Sequence, residues 1–369
     1  MEFEAAVLHE VGKDLAVERV RLSDLARGDV LVRVHASGLC HTDLEVIQGS
    51  LRYPLPIVLG HEGAGVVEAV GAGVTLVKPG DHVVCSWNPS CGHCFYCDRD
   101  LPILCEPFTR HQPRGHLLDG TSRLSLGGRT LHHFSVVSSH AQYCVVPETG
   151  AIGVPAEIPF DRACLIGCGV MTGWGAVVNI ARARPGASVA VIGCGAVGLN
   201  AVQAAALAGC EPVIAIDVAD AKLEVARAFG ATHALPAGGD GPVDSRIKAL
   251  TGGRGADYVI EAAGIANTLQ LAFDCTRPGG DVVLLGKTDV EAKVALRWGS
   301  MMGERRMVRS SYGGARPRRD FPLLAKLYLE GKLKLDELIT DRIALSDINR
   351  GFAAMKQGRV IRAVVEMAH

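Results

Sequence analysis

Four cysteines crowd one short run, CGHCFYCDRDLPILC, as Cys91, Cys94, Cys97 and Cys105. At C-x2-C-x2-C-x7-C spacing, four thiolates close a tetrahedral all-sulfur site on a single loop. Such a site saturates a zinc ion and leaves no position for substrate, so its role is structural. The bland alternative is four reduced core cysteines, which their density in a polar loop argues against. An iron–sulfur cluster is the rival use of closely spaced thiolates, but the spacing differs from the common ferredoxin runs. His93 lies inside the run and reads as a surface residue, because four sulfurs already suffice.

Three further metal-ligand candidates are remote from one another: Cys40 in GLCHTD, His61 in GHEG and Cys168 in GCG. A catalytic zinc takes three protein ligands and keeps a fourth position open, and two cysteines with one histidine are a known solution. Singly, Cys40 and Cys168 read better as core cysteines, and His61 as a hydrogen-bonded turn residue, than as metal ligands.

A third constellation is Gly193-Cys194-Gly195-Ala196-Val197-Gly198, which follows an apolar β run and opens a helix, with Asp217 ending the next strand. In that context Gly193, Gly195 and Gly198 let the backbone approach a pyrophosphate and let the helix pack on its strand. The helix N-terminus then faces negative charge. Asp217 would accept hydrogen bonds from the adenosine ribose and repel a 2′-phosphate, so NAD is expected over NADP. The alternative is a tight turn with an ordinary strand-end aspartate. Cys194 and Cys210 read as buried thiols without chemistry.

The elements that must position these residues fall into two patterns. Up to about residue 150 the chain reads as short strands and turns, among them 29–37, 62–71 and 82–87, which predict a compact β-rich domain. From about residue 170 strands alternate with helices: strand 187–193, helix 196–209, strand 212–217, helix 219–230, strand 256–264, helix 267–277 and strand 280–286. That alternation predicts a doubly wound α/β domain. The last stretch, from about residue 312, carries a helix and a closing strand, RVIRAVVEM, expected to return to the first domain.

Composition excludes several function classes. The 369 residues are 48% hydrophobic and 21% charged, normal for a globular protein and far from disorder. A net charge of −1 and 5% aromatic residues give no electrostatic footprint for nucleic acid, which also argues against a zinc-ribbon binder. The N-terminus MEFEAAVLHEVGKD lacks the basic and apolar regions of a signal peptide, and no apolar run is expected to approach the length needed to span a bilayer. The chain is therefore expected in the cytoplasm, where its 12 cysteines stay reduced.

The chain resembles the zinc-containing medium-chain alcohol dehydrogenases, of the long-chain-length type akin to classes I and III, essentially end to end. GLCHTD (38–43), PLPIVLGHEGAGVVEAVGAGV (54–74), the four-cysteine run, DGTSR (119–123), HHF (132–134), LIGCGVMTGWGA (165–176) and GCGAVG (193–198) carry the resemblance. It implies a GroES-like β-rich catalytic domain (1–169 and 312–369) and a Rossmann NAD-binding domain (170–311). It further implies two zinc ions per subunit, a homodimer, and an alcohol or aldehyde as the small-molecule partner. By resemblance Cys40, His61 and Cys168 hold the catalytic zinc, Glu62 is the acidic neighbour that approaches it, and Asp43 orients His61. Thr42 begins the proton relay and His41 contacts the cofactor pyrophosphate. Lys222 matches a ribose-binding lysine and Arg362 a pyrophosphate-binding arginine. Val197 and Thr172 match residues that buttress the nicotinamide and flank its carboxamide side.

One departure is Glu45, where many relatives have the histidine that ends the relay. A carboxylate is a poor base for an alcohol proton, so exit through the ribose and water is expected. The pocket walls are expected to include Leu51, Trp87, Arg110 and the 285–287 stretch, suiting a primary aliphatic, allylic or aromatic alcohol. The alternative is an S-(hydroxymethyl)thiol dehydrogenase. Those relatives carry an acidic residue at the Leu51 position and an arginine near position 109, whereas this chain has Thr109 followed by Arg110. A non-catalytic NAD-binding protein would have broken zinc ligands, and all three are present.

Overall fold

A computed structural model of the chain describes residues 1–288 and 291–369. The chain divides into two compact units, Met1–Cys168 with Arg316–His369, and Gly169–Ala315.

The first unit is built on two β-sheets. The larger runs in the order Ala151–Gly153, His82–Cys85, Glu62–Val70, Asp29–Gly38, Arg362–Glu366 and Ile339–Ala344, with Tyr143–Pro147 also pairing Asp29–Gly38. At its centre Asp29–Gly38 lies antiparallel to Glu62–Val70, with Gly38 opposite Glu62. This central strand is buried along nearly its whole length, with only Arg33 and His35 partly exposed between the buried Val32, Val34 and Ala36. A Cβ on Gly65 would come within 1.9 Å of the Arg33 carbonyl oxygen, so close backbone approach requires glycine there. The closing strand Arg362–Glu366 pairs with the same central strand, placing Val364 opposite Gly38.

The smaller sheet ends in the short strand His132–His133, paired parallel to Ile57–Val58. His133 is fully buried, and its Nε2 accepts the Arg123 backbone N–H at 3.2 Å. Burial depresses its pKa from 6.5 to about 3; Arg123, His116 and His132 add to this and Asp119 opposes it. Because the folded value lies below the unfolded one, the unfolded chain binds the extra proton between them. The contribution of His133 is therefore neutral above pH 6.5 and destabilising as pH falls toward about 3, by about 1.4 kcal/mol per pH unit. A His133→Gln variant, which keeps an acceptor but does not titrate, should lose less stability than wild type between pH 7 and 5 in urea unfolding. Parallel losses would remove His133 as a source of acid sensitivity.

The second unit is an all-parallel six-stranded sheet in the order His233–Pro236, Val213–Asp217, Val189–Ile192, Ala256–Glu261, Thr276–Leu284 and Arg306–Arg309. Helices Ala196–Leu207, Asp220–Ala228, Val243–Leu250 and Ala266–Cys275 connect or follow its strands. The inner strands Val189–Ile192 and Val213–Asp217 are buried at every position, as a covered parallel sheet demands. The GroES-like and Rossmann α/β fold is the one expected. Two strands gave no readable pattern: His233–Pro236 is short, and Arg306–Arg309 is exposed at all four positions.

One correction concerns apolar length. Among the described residues one helical stretch, Phe160–Ala181, is long and apolar enough to cross a bilayer by length and composition, with 72% of its window buried inside the protein. It is a core helix, interrupted by π-helical turns at Ile166–Val170 and Ala176–Ala181. Such turns concentrate at functional sites, and the first of them carries Cys168.

Candidate functional site: two thiolate clusters and a dinucleotide turn

The first unit gathers Cys40, His61, Glu62 and Cys168, whose donor atoms all lie within 4.8 Å of one another. Three different local devices deliver them. Cys40 is the N-cap of helix His41–Gln48, in extended conformation. His61 immediately precedes strand Glu62–Val70, and Cys168 rides on the π turn.

Asp43 ties the first two together. Fully buried, it accepts the Cys40 backbone N–H at 3.2 Å, the Gly60 backbone N–H at 2.9 Å and His61 Nδ1 at 3.2 Å. With Nδ1–H given to a carboxylate, Nε2 keeps the lone pair a metal needs. Hydrogen bonding with Cys168 holds the Cys40 thiol well below the usual range, helped against burial by His61 and Arg362. The same contact, with burial, raises Cys168 well above it. Two buried sulfurs beside a carboxylate-oriented imidazole are a donor set suited to a divalent, thiophilic cation.

Glu62 is fully buried and burial pushes its pKa up to about 7, opposed chiefly by Arg362. Arg362 is only 5% exposed; its Nη1 donates to the Leu39 carbonyl at 2.8 Å and lies 3.3 Å from Glu62 Oε1. The guanidinium thus sits against the cation site, a placement that sequence spacing gave no means of finding. Thr42 is half-buried, with its Oγ1 3.8 Å from Cys40 Sγ, and His41 is exposed.

Around this centre, Phe134 packs edge-on against His61, and Tyr53 edge-on against Phe134. Tyr53 Oη accepts a hydrogen bond from the Gln112 side chain. That bond anchors the short segment on which Arg110 and Arg114 stand exposed. Leu51 and Trp87 are half-buried and packed on the core. Sequence reasoning singled out neither Tyr53 nor Gln112, since their meeting depends on packing.

The second cluster is Cys91, Cys94, Cys97 and Cys105, again with all donor atoms within 4.8 Å. Backbone amides support the sulfurs: Cys91 N–H donates to Cys105 Sγ at 3.2 Å and Glu106 N–H to Cys94 Sγ at 3.4 Å. The latter bond is the main cause that lowers Cys94 to about 6, whereas burial raises Cys105 to about 12. Four convergent sulfurs fit one tetrahedral zinc and leave no open position. His93 is exposed, its Nδ1 2.8 Å from the Cys91 carbonyl.

In the second unit the glycine-rich turn follows Val189–Ile192 and opens helix Ala196–Leu207. Its glycines differ in what a side chain would meet. At Gly193, with φ +94°, a Cβ would press on the Ala263 amide at 2.9 Å; at Gly198 it would strike the Gly193 carbonyl at 1.8 Å. At Gly195 nothing lies within 4 Å, which leaves the open approach a pyrophosphate needs. Asp217 accepts the Cys194 N–H at 2.7 Å and the Ala219 N–H at 3.0 Å, so it braces the turn as well as ending its strand. Lys222 is exposed and Val197 and Thr172 are half-buried. A Cβ on Gly173, next to Thr172, would come within 2.3 Å of the Val197 carbonyl, so these two segments adjoin. Cys194 and Cys210 are buried thiols.

Comparison with known proteins agrees with this geometry. Residues 26–156 match the family described as alcohol dehydrogenase GroES-like domain, and residues 196–330 match zinc-binding dehydrogenase. The chain is 39% identical over 374 residues to a class-3 alcohol dehydrogenase of Cereibacter sphaeroides, covering 99% of this chain and 100% of that one. It is 39% identical over 373 residues to an S-(hydroxymethyl)glutathione dehydrogenase of Paracoccus denitrificans, at 99% and 100% coverage. The solved benzyl alcohol dehydrogenase of Acinetobacter calcoaceticus superposes with a TM-score of 0.94 at 31% identity, over 100% of both chains. The chain therefore belongs to the zinc-containing alcohol dehydrogenases, as an NAD-dependent oxidoreductase that carries two zinc ions per subunit.

Proposed function

We propose that the chain oxidises the hydroxymethyl adduct of a thiol, converting R–S–CH2OH and NAD to R–S–CHO, NADH and a proton. The observation that carries this substrate is the full-length similarity at 39% to relatives named for class 3 and for S-(hydroxymethyl)glutathione. Arg110 and Arg114, exposed on the segment anchored by Tyr53 and Gln112, offer cations to the charged end of such a thiol. Neutral Leu51 and Thr109 stand where glutathione-dependent relatives carry charge, so the thiol need not be glutathione itself.

In this proposal Cys40, His61 and Cys168 hold one zinc, and Cys91, Cys94, Cys97 and Cys105 the other. When bound, the first zinc supplies Lewis acidity to the substrate hydroxyl, and NAD supplies the hydride acceptor. The chain supplies the rest. Thr42 Oγ1 accepts the hydroxyl proton and passes it outward, and Asp43 holds His61 in its ligating orientation. Glu62 and Arg362 balance charge at the centre, and His41 and Arg362 are the groups for the pyrophosphate. Asp217 and Lys222 hold the ribose, and Val197 and Thr172 the nicotinamide. A cytoplasmic homodimer is part of the same proposal, carried over from the family resemblance.

Asp43→Asn is expected to lower zinc affinity at the first site and turnover by about 10- to 100-fold, because the amide lacks the charge that fixes the imidazole. Zinc content after dialysis against a chelator measures this, and wild-type retention would remove the orienting role.

A second substrate class is favoured by the half-buried apolar Leu51 and Trp87 and by the likeness to a benzyl alcohol dehydrogenase. NADH formation should be compared for formaldehyde with glutathione, formaldehyde with other small thiols, and benzyl alcohol, hexanol and geraniol. A kcat/KM for a thiol adduct at least about tenfold above every plain alcohol supports the first reading, an advantage of about 1.4 kcal/mol. Benzyl alcohol ahead of every adduct replaces it with the second.

A further inference from the structure

Glu261 ends strand Ala256–Glu261 and is 1% exposed. A carboxylate so deep in an apolar sheet is costly unless donors surround it. One oxygen, Oε1, accepts the backbone N–H of Ala263 at 2.9 Å and the N–H of Gly264 at 2.8 Å, and Thr268 Oγ1 lies 2.8 Å away, its one proton shared between this oxygen and the Ile265 carbonyl at 2.6 Å. The residue's own carbonyl accepts the N–H groups of Leu285 at 2.7 Å and Gly286 at 2.9 Å. Glu261 therefore fastens the 262–264 turn, the start of helix Ala266–Cys275 and the 285–286 segment to one strand end.

Its place in the sheet gives this fastening a purpose. Val189–Ile192 is flanked by Val213–Asp217 on one side and Ala256–Glu261 on the other, with Ile192 opposite Glu261. The strand order reverses about that central strand, and dinucleotides bind where such a reversal opens a crevice at the carboxyl ends. The turn Glu261 holds also abuts the glycine-rich turn. A Cβ at Gly193 would press on Ala263 N, and one at Gly286 would meet Gly264 N at 2.1 Å and Glu261 Oε2 at 2.4 Å. Backbone packs on backbone with no room for adjustment. Asp217 braces the Cys194 amide from the opposite flank.

We infer that Glu261 is a positioning residue for the dinucleotide: acting through Ala263 and Gly264, its carboxylate sets the crevice wall that abuts Gly193, opposite Asp217. The inference rests on NAD as the cofactor and adds a residue that holds its site in the bound shape before the ligand arrives. Losing the carboxylate frees the 262–264 turn, and binding must then supply the ordering that the folded chain now supplies.

The test uses the zinc-loaded full chain and reads the NADH dissociation constant by fluorescence titration, alongside KM for NAD, kcat and zinc content. Glu261→Ala is expected to raise the NADH Kd and the NAD KM about 10- to 100-fold, with kcat at saturating NAD within about threefold of wild type and two zinc ions retained. Glu261→Gln keeps an acceptor for the two amides and should stay within about threefold of wild type. If Glu261→Ala does not fold, Thr268→Val, which removes only the hydroxyl bonds, should raise the NADH Kd about two- to fivefold. An unchanged NADH Kd in Glu261→Ala, or in Thr268→Val where the alanine variant does not fold, would overturn the inference even if the melting temperature falls. A wild-type chain that binds neither NADH nor NADPH would overturn the cofactor itself, a separate result.

Discussion

Cys168→Ser is expected to cut turnover by about three to four orders of magnitude and zinc content from two ions per chain to about one, with the fold intact. Cys168 is one of two sulfurs within 4.8 Å of the His61 and Glu62 donors. A serine hydroxyl is a harder and far more weakly acidic donor than a thiol, so one thiolate and one imidazole must hold the ion against solvent. The Lewis acidity lost is worth several kcal/mol, and each about 1.4 kcal/mol is a factor of ten in rate. The four-cysteine cluster uses none of these residues and should keep its zinc. The substitution replaces one small side chain with another on a turn whose neighbours are glycines, so far-UV circular dichroism should not change. Elemental analysis and NADH formation measure the outcome. A serine variant with full activity and two zinc ions would strike Cys168 from the ligand set.

Asp217→Gly is expected to shift the NAD-to-NADP preference toward NADP by about two orders of magnitude. The carboxylate closes its strand at 8% exposure, where a 2′-phosphate on the ribose would meet it with little screening. Removing it also removes the acceptor for the Cys194 and Ala219 amides, so affinity for NAD itself should weaken. Asp217→Asn separates the two effects: it keeps an acceptor and drops the charge, so it should accept NADP while binding NAD better than the glycine variant. Ratios of kcat/KM for the two cofactors in all three proteins decide the matter. An unchanged ratio in both variants would remove Asp217 from cofactor discrimination.

Acid sensitivity from His133 and the orienting action of Asp43 act on smaller scales, but they follow from the same fact. Asp43 and His133 are both fully buried, the carboxylate held by several donors and the imidazole accepting one backbone N–H at Nε2. The low dielectric that makes them effective also makes their loss costly.

What the sequence determined by itself was local or periodic. The four-cysteine cluster is legible because its ligands share one loop, where spacing alone bounds distance. The parallel sheet is legible because buried strands such as Val189–Ile192 must be apolar at every position, and the glycine turn because 193–198 has its own strand and helix beside it. Tertiary structure decided whatever depends on contacts between distant segments. Cys40, His61 and Cys168 could each have been ordinary core residues until three unrelated devices, a helix cap, a strand entry and a π turn, brought them to one point. Arg362 meets Glu62 and Leu39 from the far end of the chain, and Glu261 gathers donors that composition cannot distinguish from any other turn. Arg306–Arg309 is a strand only because the sheet supplies a neighbour, and Phe160–Ala181, apolar enough for a bilayer, is buried by the rest of the protein. Spacing and periodicity are properties of one segment, whereas burial and convergence are properties of how segments pack.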